Sequence, residues 1–275
     1  MANTPDKVLK IAKAELGYYE KSSSAYKKNP NVLNDKVNGA GYDNYTKYGK
    51  EMHDLYPIVM DFPAPYCDAF VDWCFYKAYG ISTAKKLLHG DFDDYTVASA
   101  TMYAKHNALY KEPEVGDQPF FTKNGNVSGC YHTGLVYKVD GTYFYTYEAN
   151  TSSADSVVAN GGGVFAKKYY IAQYRGKVLF GRPKYDKTKK TTYKGTFPTL
   201  PTRGYFDKYD RGEQARLLQL LLNWITNDDI EVDGYIGEES LNCVGHAQKI
   251  LGFKNKEVDC LWGAKTQKKA KSYKK

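Results

Sequence analysis

The 275-residue sequence has no run approaching the ~18–20 consecutive apolar residues that a bilayer span needs. Its start, Met1-Ala2-Asn3-Thr4-Pro5-Asp6, lacks the apolar core of an export signal. Stable membrane insertion is therefore not expected, and the chain reads as made in the cytoplasm without a signal peptide. If it works outside a cell, another route must release it. Cysteine is sparse and odd in number, at positions 67, 74, 130, 243 and 260. That excludes a disulfide-stapled secreted scaffold, and the five read as reduced thiols. Histidine is equally scarce, at five, and tryptophan is limited to three. The chain does hold 42% hydrophobic and 25% charged residues, enough to bury a core, which excludes disordered and collagen-like classes. Tyrosine is abundant at 27, supplying apolar area with a wet hydroxyl. The net charge of +8 is uneven: 22 basic face 19 acidic residues through Tyr185, and 17 face 12 beyond it. Six lysines in the last eleven positions suit a polyanion such as an anionic cell wall, or form a solvated terminus. No recognition motif supports a nucleic-acid partner.

Residues 186–207 are rich in Thr, Lys, Pro and Gly and poor in aliphatics, a linker composition. They divide a domain at 1–185 from a smaller one at 208–275. In the first, Thr4-Pro5-Asp6 starts a helix, 22–50 reads as a long surface loop, and a second helix is expected from about Pro65 to Tyr79, stopped by Gly80. Strands follow at His132–Val139, Thr142–Ala149, Val164–Tyr170 and Val178–Arg182, separated by glycine-containing turns. Helices first and strands later imply an α+β domain with an antiparallel sheet. In the second domain Asp233-Gly-Tyr-Ile-Gly237-Glu-Glu-Ser240 matches Asp259-Cys-Leu-Trp-Gly263-Ala-Lys-Thr266, and Gln219-Leu-Leu-Leu222 answers Gln248-Lys-Ile-Leu251. Each half is an apolar helix, a loop and a turn that caps the next helix. The duplicated pattern resembles the peptidoglycan-binding domain built as a small all-α bundle, and departs from it at Cys260, where the first half has Gly234. An unrelated helical bundle is the alternative.

Cys67 stands at the start of the expected helix, where unpaired N–H groups and the helix dipole favour a thiolate. Cys74, two turns on, lies roughly 10 Å away, too far for a disulfide, and reads as a core residue. A lone cysteine is usually a buried core residue too, so Cys67 needs a base and a group to orient that base. Of His53, His89, His106, His132 and His246, only His132 opens a strong strand pattern, and Glu148 and Asn150 end the next strand. If Val139-Asp140-Gly141 forms a three-residue loop, or an equivalent bulge shifts the register, His132 stands opposite Glu148 with Asn150 on the same face. A two-residue turn would send them to opposite faces. A plain surface pair is the alternative.

Four segments then occur in order: Tyr66-Cys67-Asp-Ala-Phe70-Val71-Asp-Trp73-Cys74, Pro113-Glu-Val-Gly116-Asp117-Gln-Pro-Phe120-Phe121, His132-Thr-Gly134-Leu-Val136 and Glu148-Ala-Asn150-Thr151. From about residue 60 to 152 the sequence resembles CHAP domains, the cysteine, histidine-dependent amidohydrolase/peptidases of phage endolysins and autolysins. The resemblance implies a papain-like α+β fold, with Cys67 as nucleophile, His132 as general base, and Glu148 and Asn150 orienting and polarising the imidazole. Some relatives bind calcium before the cysteine helix, but Asp54-Leu-Tyr-Pro-Ile-Val-Met-Asp61 lacks closely spaced oxygen ligands. Cys67, Cys130 and His132 lack the second ligand pair of a zinc site. No metal and no cofactor are expected.

The function these readings imply is a peptidoglycan hydrolase of endolysin type, bacteriolytic, acting as a monomer at the bacterial cell wall after release. It would be an N-acetylmuramoyl-L-alanine amidase or a peptidoglycan endopeptidase. The alternatives are a cysteine peptidase acting on proteins and a non-catalytic wall-binding or adhesive protein that retains the fold. A phage lysin passing a membrane lesion suits the missing signal, and a bacterial protein using another export route is the alternative origin.

Overall fold

The computed structural model describes residues 2–154, 156–158, 160–186, 192–228 and 230–275. The chain divides into two compact units, Met1–Lys187 and Thr188–Lys275. Part of the linker read from composition, residues 187–191, lies outside the described residues.

The first unit opens with six helices: α1 (Pro5–Ala14), α2 (Ser23–Lys28), α3 (Lys47–Leu55), α4 (Cys67–Tyr79), α5 (Ile81–Leu87) and α6 (Thr96–Lys105). Strands β1 (Leu109–Tyr110), β2 (Gln118–Thr122), β3 (Cys130–Thr133), β4 (Leu135–Val139), β5 (Tyr143–Thr151) and β6 (Gly163–Tyr170) follow, then the short helix α7 (Ile171–Tyr174) and β7 (Val178–Gly181). The strands form two antiparallel sheets, ordered β1-β7-β2-β3 and β4-β5-β6. The α+β class expected from the sequence holds. Segment 22–50 is not the structureless loop its composition suggests: it contains α2, a 3₁₀ turn at Pro30–Asn34 and the start of α3. Ser22 and Thr46 each accept a backbone N–H three residues on, so capping overrides a weak hydrophobic period.

Helix α4 is the axis of this unit. Every residue from Cys67 to Phe75 is buried, so it carries no polar face. Phe70, Val71, Cys74 and Phe75 sit in a core with Tyr48, Met52, Phe120 and Leu135. Two carboxylates are buried on the same helix. Asp68 accepts from Ser99 Oγ at 2.6 Å and Gln118 Nε2 at 2.8 Å, and Asp72 accepts from the Asp93 N–H at 2.9 Å. Burial is the main cause that pushes Asp68 up to about 7 and Asp72 upward as well.

The single strand expected over His132–Val139 is two. Cys130–Thr133 pairs with β2 in one sheet and Leu135–Val139 with β5 in the other, the break falling at Gly134. A Cβ on Gly134 would lie 2.6 Å from Glu148 Cγ and from the Tyr147 carbonyl oxygen, so this close crossing requires glycine. Of the two ways expected to shift this register, the structure has the bulge and not the three-residue loop. Asp140 N bonds to Tyr143 O at 3.1 Å, with Gly141 left-handed at φ 82°, and the register shift is a bulge between Val136 and Lys138.

The second unit holds β8 (Tyr205–Phe206), α8 (Glu213–Thr226), α9 (Glu238–Ile250), β9 (Trp262–Gly263) and α10 (Ala264–Ser272). It is helical except for the short β8–β9 pairing. Leu218, Leu221, Leu222, Ile225, Val244, Ala247 and Trp262 form its core. Tyr193, Phe197 and Leu200, placed in the linker by composition, pack against that core. The sequence repeat is a repeat of hydrogen bonds. Gln219 Nε2 donates to Asp233 Oδ1, Tyr235 O and Ser240 Oγ, while its Oε1 accepts from Gly234 N. Gln248 Nε2 donates to Asp259 Oδ1, Leu261 O and Thr266 Oγ1, while its Oε1 accepts from Cys260 N. Gly234 and Cys260 share the left-handed region at φ 74° and 61°, so the glycine-to-cysteine departure keeps the turn at some steric cost. Among the described residues, no helix is long and apolar enough to cross a membrane.

Candidate active site

Cys67 is the first residue of α4, with Tyr66 preceding it outside the helix. The first helical bond runs from Phe70 N to Tyr66 O at 2.9 Å, which leaves the N–H groups of Cys67, Asp68 and Ala69 outside the intrahelical ladder. Those groups and the helix dipole place positive potential beside the sulfur. Cys67 is buried at 6% exposure.

His132 lies on β3 and is wholly buried, its ring stacked on Phe121 with centroids 5.8 Å apart. Its Nε2 meets Glu148 Oε2 at 2.9 Å. Its Nδ1 is buried with no hydrogen bond of regular geometry, and the Cys67 side chain is close enough to act on the ring by hydrogen bonding and by charge. A loose thiol contact of this kind is what a resting nucleophile and base show before substrate tightens them. Burial works against a charged imidazole here, but the thiol and the Glu148 carboxylate together outweigh it and lift the ring to about 9.

Glu148 is also fully buried and is held by more than the imidazole. Thr146 Oγ1 donates to Oε1 at 2.5 Å, and Tyr169 OH donates to Oε2 at 3.1 Å. Neither supporting residue was singled out from the sequence. Thr146 precedes Glu148 by two on β5 and so faces the same way, a signal that alternation offered. Tyr169 comes from β6, and no local pattern points to it. His132 and Glu148 meet in space as the sequence argument required, but not as direct cross-strand partners. Leu135 pairs with Tyr147, and Gly134 lies against Glu148. They meet across the break between the two sheets.

Asn150 is buried at φ 56°, within the irregular step between Glu148 and Thr151. Its carbonyl accepts from Gly161 N at 2.9 Å, and its backbone N–H acts on the Tyr66 hydroxyl. Asn150 thus ties the end of β5 to the residue before the nucleophile. The Gly116-to-Phe121 motif acquires physical roles too. Asp117 takes two hydrogen bonds from Arg182, at 3.0 and 2.9 Å, Gln118 holds Asp68, and Phe121 backs the imidazole.

The other thiols and imidazoles are placed differently. Cys74 is in the core and burial pushes its thiol far up, and burial pushes Cys130 up to about 12. His53, His89 and His106 each use a ring nitrogen on a backbone oxygen, and His246 pairs with Asp228 in the second unit. Among the described residues only Cys67 combines a helix start with a buried imidazole held by a carboxylate. This arrangement can generate a thiolate, deliver it to a carbonyl carbon and return a proton to a leaving group.

Compared with curated proteins and with solved structures, the chain has no significant match. Compared with protein-family models, residues 59–150 match the CHAP domain. That span runs from just before the nucleophile helix to the end of the strand that carries Glu148 and Asn150. The first unit therefore contains a CHAP domain, and with it the chemistry of a cysteine- and histidine-dependent amidohydrolase or peptidase.

Proposed function

We propose that the protein is a peptidoglycan hydrolase that cleaves an amide bond of the bacterial cell wall, as an N-acetylmuramoyl-L-alanine amidase or a peptidoglycan endopeptidase of endolysin type. The observation that carries this reading is the imidazole of His132, fixed on one side by Glu148 and open on the other toward Cys67. With Nε2 held by the carboxylate, Nδ1 is the nitrogen left to exchange a proton with the thiol.

In the reaction, Cys67 Sγ attacks the amide carbonyl and forms a tetrahedral intermediate. The free N–H groups at the start of α4 hold the oxyanion. The His132 imidazolium gives its proton to the departing amine, the carbon–nitrogen bond breaks, and a thioester remains on Cys67. Water, deprotonated by the now neutral imidazole, attacks that thioester and releases the acid. Glu148 keeps the ring oriented and favours its charged form throughout. The second unit, with its duplicated glutamine-centred turns, serves as the wall tether. It raises the local concentration of a polymeric substrate, and the lysine-rich end adds attraction to anionic wall polymers.

Purified walls incubated with the wild-type chain lose turbidity, and those incubated with Cys67→Ala do not. Mass spectrometry of the products separates the two bonds: free lactyl carboxylates on muramic acid mark an amidase, and new peptide amines and carboxylates with the lactyl amide intact mark an endopeptidase. Equal clearing by both proteins, or clearing by neither, refutes the cysteine hydrolase. Hydrolysis of casein without clearing of walls identifies a peptidase acting on proteins instead.

A further inference from the structure

Away from Cys67, the first unit contains a cavity of about 810 Å³ between the end of α5 and its following loop, the end of α6, and residues 184–186. Its wall includes three lysines and two histidines beside two aspartates. His89 and His106 place their rings 5.2 Å apart, and Lys86 and Lys184 lie on the same wall. Of the two aspartates, Asp91 pairs with Lys85 at 2.9 Å, and Asp186 accepts from Asn3 N at 2.7 Å. Among the described residues no carboxylate pairs with Lys86 or Lys184.

The ring nitrogens narrow the chemistry. His89 Nε2 meets Arg182 O at 3.1 Å, and His106 Nδ1 meets Met102 O at 2.9 Å. A carbonyl oxygen only accepts, so those two nitrogens carry hydrogen. His89 Nδ1 and His106 Nε2 remain, and each becomes a donor only when its ring is charged. Burial depresses His89, and His106 and Lys184 depress it further. His89 also holds a left-handed backbone at φ 65°, a costly conformation for a residue with a β-carbon.

We propose that this cavity is a binding site for a phosphate-class anion, held by Lys86, Lys184 and the charged rings of His89 and His106. A bound phosphate supplies a counter-charge for Lys86 and Lys184 and accepts from both ring nitrogens at once. A divalent cation in the same place would face two lysines. The site is independent of the hydrolytic reading, because none of its groups touches Cys67, His132 or Glu148.

The test uses the full chain with isotope-labelled histidines, titrated by NMR at constant ionic strength with inorganic phosphate, with poly(glycerol phosphate), or with chloride alone. Saturable binding of phosphate raises the titration midpoint of His89 by about half a unit or more and moves the ring signals of His106, while the ring signals of His53 do not change. The double variant Lys86→Ala, Lys184→Ala weakens that binding about tenfold and leaves the rate on wall fragments unchanged. Tighter binding of the polymer than of phosphate, counted per phosphate, identifies an anionic polymer as the ligand; equal affinity identifies the free anion. Ring shifts that chloride reproduces, unchanged phosphate affinity in the double variant, or shifts produced by zinc and not by phosphate each overturn the proposal.

Discussion

Replacing Glu148 by Gln keeps the shape of the side chain and removes the charge facing His132 Nε2. The rise of the ring from 6.5 to about 9 corresponds to about 3 kcal/mol favouring imidazolium, at roughly 1.4 kcal/mol per unit. The thiol and the carboxylate supply that together against the opposing effect of burial, so the loss of Glu148 removes part of it and leaves burial in place. The expected result is a ring that titrates at least about one unit lower. The catalytic rate should fall by up to about 10²-fold, the limit set by 3 kcal/mol. The same shift has a stability signature. A group whose pKa is raised by folding contributes stability that is fully present below its unfolded value and lost as pH rises through the folded one. Wild type should therefore lose up to about 3 kcal/mol between pH 6.5 and 9 from this ring, and Glu148→Gln should show a flatter profile. Labelled-histidine NMR reads the titration, and urea unfolding at several pH values reads the stability. A variant that folds normally and still titrates near 9 would refute the role assigned to Glu148.

Three further outcomes follow from the packing. Gly134→Ala puts a Cβ 2.6 Å from Glu148 Cγ and a backbone oxygen, costing about 1–3 kcal/mol by overpacking. Thermal unfolding should show a lower midpoint for the first unit, and an unchanged midpoint would mean that the sheets do not cross tightly there. Asp68, pushed up to about 7 mainly by burial, contributes stability present below about pH 4 and lost as pH rises through 7. Asp68→Asn should therefore gain on wild type in urea titrations across that window, and parallel curves would count against a buried protonated carboxyl. Gln248→Ala leaves the donors and acceptors of the Asp259–Thr266 turn without partners, at a cost of about 2–4 kcal/mol to the second unit. Gln219→Ala should cost a similar amount, and the His132 titration should not move in either variant.

The two units differ in how their polar groups are secured, and this bears on function. In the second unit each glutamine saturates one turn, a local and repeated solution that leaves the helices free to pack on Trp262. In the first, polar groups are buried in the middle of the core, Glu148 and Asp68 each with its own hydrogen-bond partners. Glu148 accepts three hydrogen bonds, and Asp68 accepts two. A charge-bearing side chain removed from water survives only with such partners.

The sequence by itself determined the parts of this protein whose signal is short in range. Helix α4 is legible in its apolar residues and its Gly80 stop, the position of Cys67 in the start of that helix, and the C-terminal repeat in the recurrence of Gln, Asp, Gly and a hydroxyl residue. Among the five histidines, the strand pattern that His132 opens was enough to single it out. Only the tertiary structure decided what depends on two distant backbones crossing. Periodicity shows alternate faces of a strand but not where one strand leaves its sheet, so the break at Gly134 was hidden, and with it the way His132 reaches Glu148. Tyr169 and Thr146 became visible only when β5 and β6 were paired, because a hydrogen bond between strands leaves no mark in the sequence of either.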